Sequence, residues 1–477
     1  MASEILSVGI DVGTSTTQVI FSKLMMENMA DYFSAPRISI VGKELIYKSE
    51  IHTTPLKTSV LLDGEAIRRI VETEYRKAGF APDDLDTGAV IITGESARKE
   101  NAQLLTQQLS SIAGEFVVST AGPDLESVIA GKGSGAFQYS VDHECSVVNL
   151  DIGGGTTNIV VFDCGQVRTK CCFDIGGRLI RLAEDSTVRS VSPAAQAVAD
   201  AVGVSVVPGA RTSVEELRKI TDKMAQLLAQ ALGVVPAEPL LERLRTPGSS
   251  SGTLYGQPIG GICFSGGVAD CIYATKASPL QYGDIGVLLG ASIREGSLFQ
   301  SLKPIPAGET ICATVVGAGT YTTSISGSTI ECSDDIFPMK NVPVLKLSTE
   351  EQERCLAGDV PWLREKGAWF LKQSDSEQLI LAFPGKTDPD YEQVKRLAGC
   401  VVTAMDEVLP AGKPVVAVLE TDMAKAVGLA MKLVCAGKRH VAAIDGIRVE
   451  EGDYLDLGRP LMNGLVVPVV VKTLVFG

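Results

Sequence analysis

Residues 147–162 read VVNLDIGGGTTNIVVF, in which two apolar, strand-forming runs enclose an aspartate, three glycines and two threonines. Two strands around a glycine-rich turn are typical of a β-hairpin. Glycines let several backbone N–H groups approach one anion, because no Cβ blocks the approach, and threonine hydroxyls add donors. An aspartate at the strand end suits Mg²⁺ carried with phosphate better than phosphate alone. The stretch therefore predicts a metal–nucleotide hairpin, with a plain glycine-rich turn as the alternative.

The amino-terminal residues 8–21, VGIDVGTSTTQVIF, repeat this stretch at an offset of 140 residues. The repeat aligns Asp11 with Asp151, Gly13 with Gly153, Thr16 and Thr17 with Thr156 and Thr157, and Gln18 with Asn158. An offset of that length excludes a solenoid and indicates a duplicated domain. Two facing hairpins, each with one aspartate, can hold a Mg–nucleotide between two lobes.

Length and composition limit the classes of protein to consider. The 477 residues suffice for about three domains. Hydrophobic residues make up 45% and charged residues 21% of the chain, as in an ordinary globular protein. The formal net charge of -14 argues against non-specific binding to nucleic acid or to an anionic membrane, because both need clustered Lys and Arg. We therefore expect no nucleic-acid partner and no membrane partner.

Cysteine and histidine usage points to the cytoplasm and away from a zinc site. The 11 cysteines are scattered and contain no C-x-x-C, which favours reduced thiols over a disulfide framework. The three histidines, His52, His143 and His440, lie far apart in the sequence and argue against a histidine-rich metal site. The first residues, MASEILSVGID, lack the basic segment of a secretory signal, so we expect a cytoplasmic protein.

The residue pattern predicts three parts, which are residues 1–145, 146–300 and 301–477. Within the first part, residues 36–60 alternate between apolar and polar and predict a small β insertion. Beyond residue 300, β-branched and turn residues predict β structure, and strands then alternate with helices as in a parallel α/β unit.

Each of two glycine pairs in the second part stands at the start of a predicted helix. DIGGRLIRLAED, residues 174–185, predicts a helix that starts at a Gly-Gly turn. GICFSGGVADCIY, residues 261–273, predicts a strand that turns at Gly266 and Gly267 into a helix. A Gly-Gly turn at that point lets a flat ring lie against the backbone, because no side chain intervenes.

Three motifs in this order, GIDVGTSTT, LDIGGGTTNIVVF and FSGGVADCIY, resemble the two phosphate motifs and the adenosine motif of the actin, sugar-kinase and heat-shock-chaperone ATPase superfamily. The resemblance implies an α/β fold: a two-lobed actin-like ATPase with duplicated ribonuclease-H-like lobes and, in this chain, an additional C-terminal α/β domain. It also implies ATP and Mg²⁺ as cofactors.

The resemblance also implies roles by position. Asp11 and Asp151 are expected to hold Mg²⁺ through water. The residues expected to cradle the phosphates are Gly13, Thr14, Ser15, Thr16, Gly153, Gly154, Gly155, Thr156 and Thr157, and those expected to flank adenine are Gly266 and Gly267. The Glu or Gln that positions the attacking water in chaperones and actin falls here on Gly122, so Asp124 or the catalytic candidate Glu126 must substitute. Without such a side chain, hydrolysis is expected to be slow.

A narrower resemblance covers essentially the full chain. The stretches GIDVGTSTTQVIFS and AGPDLESVIAGKGSGA and the tail PLMNGLVVPVVVKTLVFG resemble the EutA family, the reactivating factors of ethanolamine ammonia-lyase in bacterial ethanolamine utilisation. The likeness implies a chaperone with slow Mg-dependent ATPase activity that releases damaged cobalamin from the lyase, so that intact adenosylcobalamin can bind. It implies the lyase, through either or both subunits, as partner, and a place near a bacterial microcompartment.

Three alternatives stay open: a small-molecule kinase of the same superfamily, a filament-forming actin-like protein, and a binding module with an inactive nucleotide site. A kinase needs a catalytic base and a substrate pocket, and the sequence assigns neither. The oligomeric state, the surface that contacts the lyase and the role of the C-terminal domain are also left open.

Overall fold

The computed structural model describes residues 3–473 apart from gaps at 14–15, 29–37, 59–60, 94–95, 97–100, 102–104, 106–108, 110–117, 121–122, 251–257, 275–277, 322–323, 327–329, 334–335, 375, 461–463 and 465. Thr14, Ser15 and Gly122, for which the sequence predicts roles, lie outside the described residues.

The amino-terminal part forms one larger sheet with flanking helices. Its elements are β1 (Ser3–Val12), β2 (Thr16–Asn28), β3 (Ile38–Lys48), β4 (His52–Thr53), β5 (Leu56–Thr58), β6 (Leu61–Leu62), α1 (Gly64–Ala78), a 3₁₀ turn (Pro82–Asp84), β7 (Thr87–Ile92), β8 (Val118–Thr120), α2 (Pro123–Gly133) and α3 (Ala136–Asp142). The sheet has the order β3-β2-β1-β7-β8. Strand β2 is antiparallel to β1 and β3, whereas β1, β7 and β8 run parallel.

The second part repeats this arrangement. Its elements are β9 (Ser146–Ile152), β10 (Thr157–Asp163), β11 (Gln166–Phe173), β12 (Ile180–Leu182), β13 (Val188–Val191), α4 (Pro193–Ala201), α5 (Val214–Ala231), α6 (Pro239–Arg243), β14 (Gly261–Ser265), α7 (Ala269–Tyr273), α8 (Gly286–Glu295) and α9 (Ser297–Ser301). Its larger sheet has the order β11-β10-β9-β14, with β14 parallel to β9. Both sheets follow the ribonuclease-H-like order, so the predicted α/β, two-lobed actin-like fold is confirmed.

Strand register confirms the internal repeat residue by residue. Asp11 pairs with Gln18 across the first hairpin, and Asp151 pairs with Asn158 across the second. Because directly paired residues lie on the same face of a sheet, each aspartate has a carboxamide beside it.

Two local predictions differ from the structure. Strand β3 pairs with β2 over most of its length, so it belongs to the first sheet and is not part of a small insertion. The helix predicted at 174–185 is wrong, because residues 174–179 form a turn and β12 then pairs with β13. Helix α5 begins at a capping box, in which the Ser213 hydroxyl accepts from the Glu216 N–H and the Glu216 carboxylate accepts from the Ser213 N–H.

The C-terminal part is a mixed sheet with helices on one face. Its elements are α10 (Ala313–Tyr321), β15 (Ser324–Ile325), β16 (Glu331–Cys332), β17 (Met339–Lys346), α11 (Thr349–Leu356), α12 (Val360–Gln373), β18 (Ile380–Phe383), α13 (Tyr391–Val408), β19 (Val415–Leu419), α14 (Ala424–Cys435), β20 (Val441–Ile444), β21 (Asp453–Leu457) and β22 (Pro468–Thr473). The order is β15-β22-β21-β17-β18-β19-β20-β16, and β17 to β20 are parallel. Among the described residues, no helix has both the length and the apolar character needed to cross a membrane.

Helix α10 packs against the first lobe although it follows the second in sequence. It contacts α2, β1, β2 and β7. The contact with α2 is close, because a Cβ on Gly133 would lie 1.8 Å from the Ala313 carbonyl oxygen and one on Gly317 would lie 2.0 Å from that of Ile129. Composition predicted β structure here, so the helix is a difference from expectation. The domain boundary near residue 300 stays a prediction.

Substitution of Gly317 tests the α2–α10 contact. Alanine normally favours a helix over glycine by up to about 1 kcal/mol. We expect Gly317→Ala to lower the thermal unfolding midpoint instead, because overpacking a tight contact costs about 1–3 kcal/mol. The control is Gly399→Ala in α13, where an added Cβ meets no atom within 4 Å. A higher midpoint for both variants would contradict the close contact.

Candidate functional site

A cavity of about 400 Å³ lies between the two lobes, and both hairpin turns open into it. Its walls include nearly all described residues with a predicted role, which are Asp11, Gly13, Thr16, Glu126, Asp151, Gly153, Gly154, Gly155, Thr156, Gly266 and Gly267. Residues from four separate stretches of sequence therefore meet in one place. Their chemical roles remain predictions.

The two hairpin turns have the same backbone geometry. The Gly13 N–H donates to the Thr16 carbonyl at 2.8 Å, and the Gly153 N–H donates to the Thr156 carbonyl at 2.9 Å. Each turn is thus closed by one equivalent hydrogen bond. The duplicated sequence has produced a duplicated turn.

The second threonine of each hairpin is structural. Thr157 is buried, and its hydroxyl donates to the Ile175 carbonyl at 2.7 Å. Thr17 is equally buried and shares a 3.1 Å hydrogen bond with the Thr54 hydroxyl. Thr157 does not line the cavity, so the structure does not place it as the phosphate ligand that the sequence predicted.

A hydroxyl group from the neighbouring parallel strand holds each aspartate. The Thr93 hydroxyl donates to Asp11 at 3.1 Å, and the Ser265 hydroxyl donates to Asp151 at 2.7 Å. Thr93 directly follows β7 and Ser265 ends β14, so both lie at the carboxyl end of a strand beside an aspartate-bearing strand. Sequence reasoning missed both residues. The sequence feature that could have identified them is the hydroxyl-bearing residue at the end of each of these strands.

The environment of the two carboxylates disfavours their charges. Burial raises the pKa of Asp11 to about 7, the hydrogen bond from Thr93 opposes this, and the charge of Asp151 adds to it. Burial raises the pKa of Asp151 to about 6, against hydrogen bonds from Ser265 and Asn158. Two buried like charges at one cavity are unfavourable unless a cation lies between them.

The donor set fits a hydrated hard cation such as Mg²⁺. Carboxylate oxygens are the protein ligands that Mg²⁺ prefers, and it usually keeps several waters. The carboxamides beside the aspartates take no part in this donor set. The Gln18 Nε2 and the Asn158 Oδ1 are buried without a hydrogen-bond partner among the described residues, but neither residue lines the cavity.

Helix α2 brings one carboxylate to the cavity and directs another away. Glu126 is buried and lines the cavity. The Asp124 carboxylate accepts from the backbone N–H and hydroxyl of Ser250 and lies 3.6 Å from the Lys170 ammonium. Of the two predicted substitutes for a side chain at position 122, the structure therefore favours Glu126.

The glycines of the site have two different functions. Gly266 has a φ of +84°, and a Cβ there would lie 2.5 Å from the Ile152 carbonyl oxygen, so the fold itself requires glycine. Gly155 has no atom within 4 Å of its Cβ position, and at Gly267 the nearest atom is the Ile311 Cδ1 at 4.0 Å. A Cβ at either of these two cavity-lining positions would meet no protein atom closer than 4.0 Å.

Several further lining residues had no predicted role. They are Ile51, Thr93, Gly177, Arg178, Val268, Asp270, Cys271, Tyr282, Asp284, Gly286, Ile311 and Thr314. Gly177 and Arg178 belong to the 174–179 turn, and their N–H groups donate to the carbonyls of Gly153 and Gly154 at 2.9 and 2.7 Å. The turn therefore packs directly against the second hairpin.

The raised pKa values predict a pH dependence in the absence of divalent cations. Both aspartates have folded-state pKa values, about 7 and about 6, above the ordinary 3.8. The folded state then binds more protons than the unfolded state, so stability should fall as the pH rises from about 4 to 7. We expect Asp11→Asn to weaken this fall in thermal unfolding scans. The exposed Asp388→Asn is the control; equal pH profiles for wild type and Asp11→Asn would contradict the account.

Comparison with known proteins gives full-length matches. The sequence profile of the family "Ethanolamine utilisation protein EutA" matches residues 3–477. The chain is 34% identical over 473 residues to the ethanolamine ammonia-lyase reactivase EutA of Salmonella typhimurium strain LT2, and 34% identical over 479 residues to that of Escherichia coli K12. Each match covers 99% of this chain and 99% of the relative.

A solved structure resembles part of the chain more distantly. It is an Aquifex aeolicus member of the Ppx/GppA family, with 14% identity and a TM-score of 0.39. The likeness covers 62% of this chain and 90% of that protein.

Proposed function

The chain belongs to the EutA family, and we propose that it is an ATP-dependent reactivating factor of ethanolamine ammonia-lyase. Two relatives of matching length carry the name of reactivase. In the proposed reaction the protein binds a lyase that holds damaged cobalamin, promotes its release, and so lets intact adenosylcobalamin bind. The observation that supports an ATP-driven process best is the cavity that joins two equivalent hairpins, each with an aspartate that lines the cavity.

We assign the residues of the cavity to the parts of a Mg–ATP complex. Asp11 and Asp151 hold a hydrated Mg²⁺, and their turn glycines with Thr16 and Thr156 donate backbone and hydroxyl groups to phosphate. Thr14 and Ser15 keep their predicted phosphate role without structural support. The open space at Gly267 admits the adenine ring. When bound, Mg²⁺ supplies positive charge that neutralises the phosphates.

Glu126 is proposed to orient the attacking water by accepting one of its protons in a hydrogen bond. We expect Glu126→Ala to lower ATP turnover at least about tenfold, because alanine offers the water no hydrogen-bond acceptor. ATP affinity should be unchanged. Phosphate release and equilibrium binding measure the two quantities, and the exposed Glu392→Ala in α13 is the control. Fast, unaltered turnover in Glu126→Ala would contradict this role.

ATP can act on the lyase only through a difference in affinity. A ligand shifts a two-state equilibrium by no more than its differential affinity for the two states. We propose that nucleotide changes the angle between the lobes and that the altered protein prefers a lyase conformation with a weaker grip on cobalamin. Helices α2 and α10 contact each other, and Glu126 of α2 and Thr314 of α10 line the cavity, so both helices adjoin the proposed nucleotide site.

A reactivation assay tests the function. Lyase blocked with cyanocobalamin is mixed with this protein, Mg–ATP and adenosylcobalamin, and ammonia release and free cyanocobalamin are followed. We expect recovery only with all three additions, and none with Asp11→Asn or Asp151→Asn, since each substitution removes a charge that faces the cation. Thermal unfolding confirms that both variants remain folded.

Other outcomes of this assay identify the alternatives. Recovery without ATP would indicate a binding chaperone that does not use nucleotide energy. Failure of recovery, together with ATP-dependent phosphorylation of a small polyol or acid, would favour a kinase. We further propose that the protein contacts one or both lyase subunits in the cytoplasm, in association with the microcompartment of this pathway; co-purification from ethanolamine-grown cells tests that placement.

A further inference from the structure

We propose that Arg178 contacts the phosphate chain of the bound nucleotide and that Asp284 positions it. This inference rests on the proposed nucleotide-dependent function and names a residue for which neither the motifs nor the comparisons gave a role. It follows from the charges that line the cavity and from the hydrogen bonds that fix the side chain.

Arg178 differs in sign of charge from the acidic side chains that line the cavity. Among the described lining residues, the carboxylates are Asp11, Glu126, Asp151, Asp270 and Asp284, and Arg178 is the sole lysine or arginine. A nucleotide di- or triphosphate would bring further negative charge into these surroundings. Mg²⁺ at Asp11 and Asp151 offsets part of that charge. Arg178 supplies the fixed positive side chain that the remaining phosphate oxygens need.

The backbone places Arg178 beside the phosphate turn of the second hairpin. Its N–H donates to the Gly154 carbonyl at 2.7 Å, one residue after the equivalent bond from Gly177 to Gly153. Gly176 lies two residues before Arg178, and a Cβ there would be 2.6 Å from the Gly154 carbonyl oxygen. No bulkier residue therefore fits between the 174–179 turn and the turn of the second hairpin. The turn that carries Arg178 is therefore packed directly on the proposed phosphate-binding backbone.

A buried carboxylate holds the side chain by one nitrogen. The Arg178 Nε lies 3.2 Å from the Asp284 Oδ2, and the Asp284 Oδ1 accepts from the Gly286 N–H at 2.9 Å at the start of α8. The Asp284 side chain is 7% exposed, whereas the Arg178 side chain is 35% exposed. The two terminal guanidinium nitrogens make no hydrogen bond to the described residues, so they present a planar fork of donors suited to phosphate.

The experiment compares ligands that differ only in their phosphates. Binding of Mg–ATP, Mg–ADP and adenosine is measured by titration calorimetry for wild type, Arg178→Gln and Arg178→Lys. We expect Arg178→Gln to weaken Mg–ATP and Mg–ADP roughly ten- to a hundredfold, as for lost hydrogen bonds to a charged group, and to leave adenosine unchanged. Arg178→Lys should recover part of the loss, because it keeps the charge but not the fork.

Arg181→Gln is the matched control. Arg181 also lies beside Asp284, with which it forms an isolated antiparallel bridge, but it does not line the cavity. Asp284→Asn should weaken Mg–ATP less than Arg178→Gln does, since it loosens the side chain without removing it. Thermal unfolding of each variant verifies the fold.

Each contrary result has one meaning. Equal losses for adenosine and Mg–ATP in Arg178→Gln would show a contact with the nucleoside and overturn the inference. Unchanged affinities in Arg178→Gln, with wild-type binding intact, would show a purely structural ion pair and leave the proposed function standing. If the wild-type protein binds no Mg–ATP, the proposed function fails and the inference falls with it.

Discussion

Two carboxylates, Asp11 and Asp151, face one cavity where burial opposes the charge of each. Each accepts a hydrogen bond from a hydroxyl at the end of the adjacent parallel strand. Two carboxylate charges in such surroundings cost stability unless a cation or a proton offsets them. The duplicated sheets, the matching registers and the two closed glycine turns bring this pair to the same cavity.

The same constraint links the site to the rest of the chain. Helix α2 carries Glu126 into the cavity wall, and Ile311, just before α10, and Thr314 in its first turn also line the cavity. The two helices meet through Gly133 and Gly317, where the backbones leave no room for a Cβ. Beyond α10 the chain enters the C-terminal sheet at β15. Helix α10 is therefore the element that follows the cavity wall and precedes the C-terminal sheet in the chain.

Sequence reasoning found what depends on local chemistry and repetition. The two hairpins, their aspartates and the glycine turn at Gly266 and Gly267 are all brought together as expected, because strand ends and glycine turns have clear signatures. Sequence reasoning did not predict the contacts that depend on tertiary packing. Thr157 reads like Thr156, yet only the fold shows that its hydroxyl is used by Ile175.

Similar reasons explain the other differences. Helix α10 is rich in β-branched residues and glycine, which disfavour a helix in isolation, but its close contact with α2 overrides that preference. Arg178 follows a Gly-Gly pair that resembled a helix start. Its place in the cavity depends on the packing of the 174–179 turn against the second hairpin, which the local sequence does not reveal. The hydrogen bonds from Thr93 and Ser265 to the aspartates can be inferred only once the parallel partner strands of β1 and β9 are known.

If the two hairpins form one Mg–nucleotide site, a substitution of Gly155 should weaken it. An alanine there meets no protein atom within 4 Å and changes no charge, and Gly155 lines the cavity, so the added methyl group is expected to act on the bound ligand and not on the fold. Titration calorimetry of Mg–ATP should show binding to wild type that EDTA abolishes, and binding at least about tenfold weaker in Gly155→Ala with an unchanged unfolding midpoint. Equal Mg–ATP affinity in the two proteins, or binding by wild type that does not depend on Mg²⁺, would contradict the account.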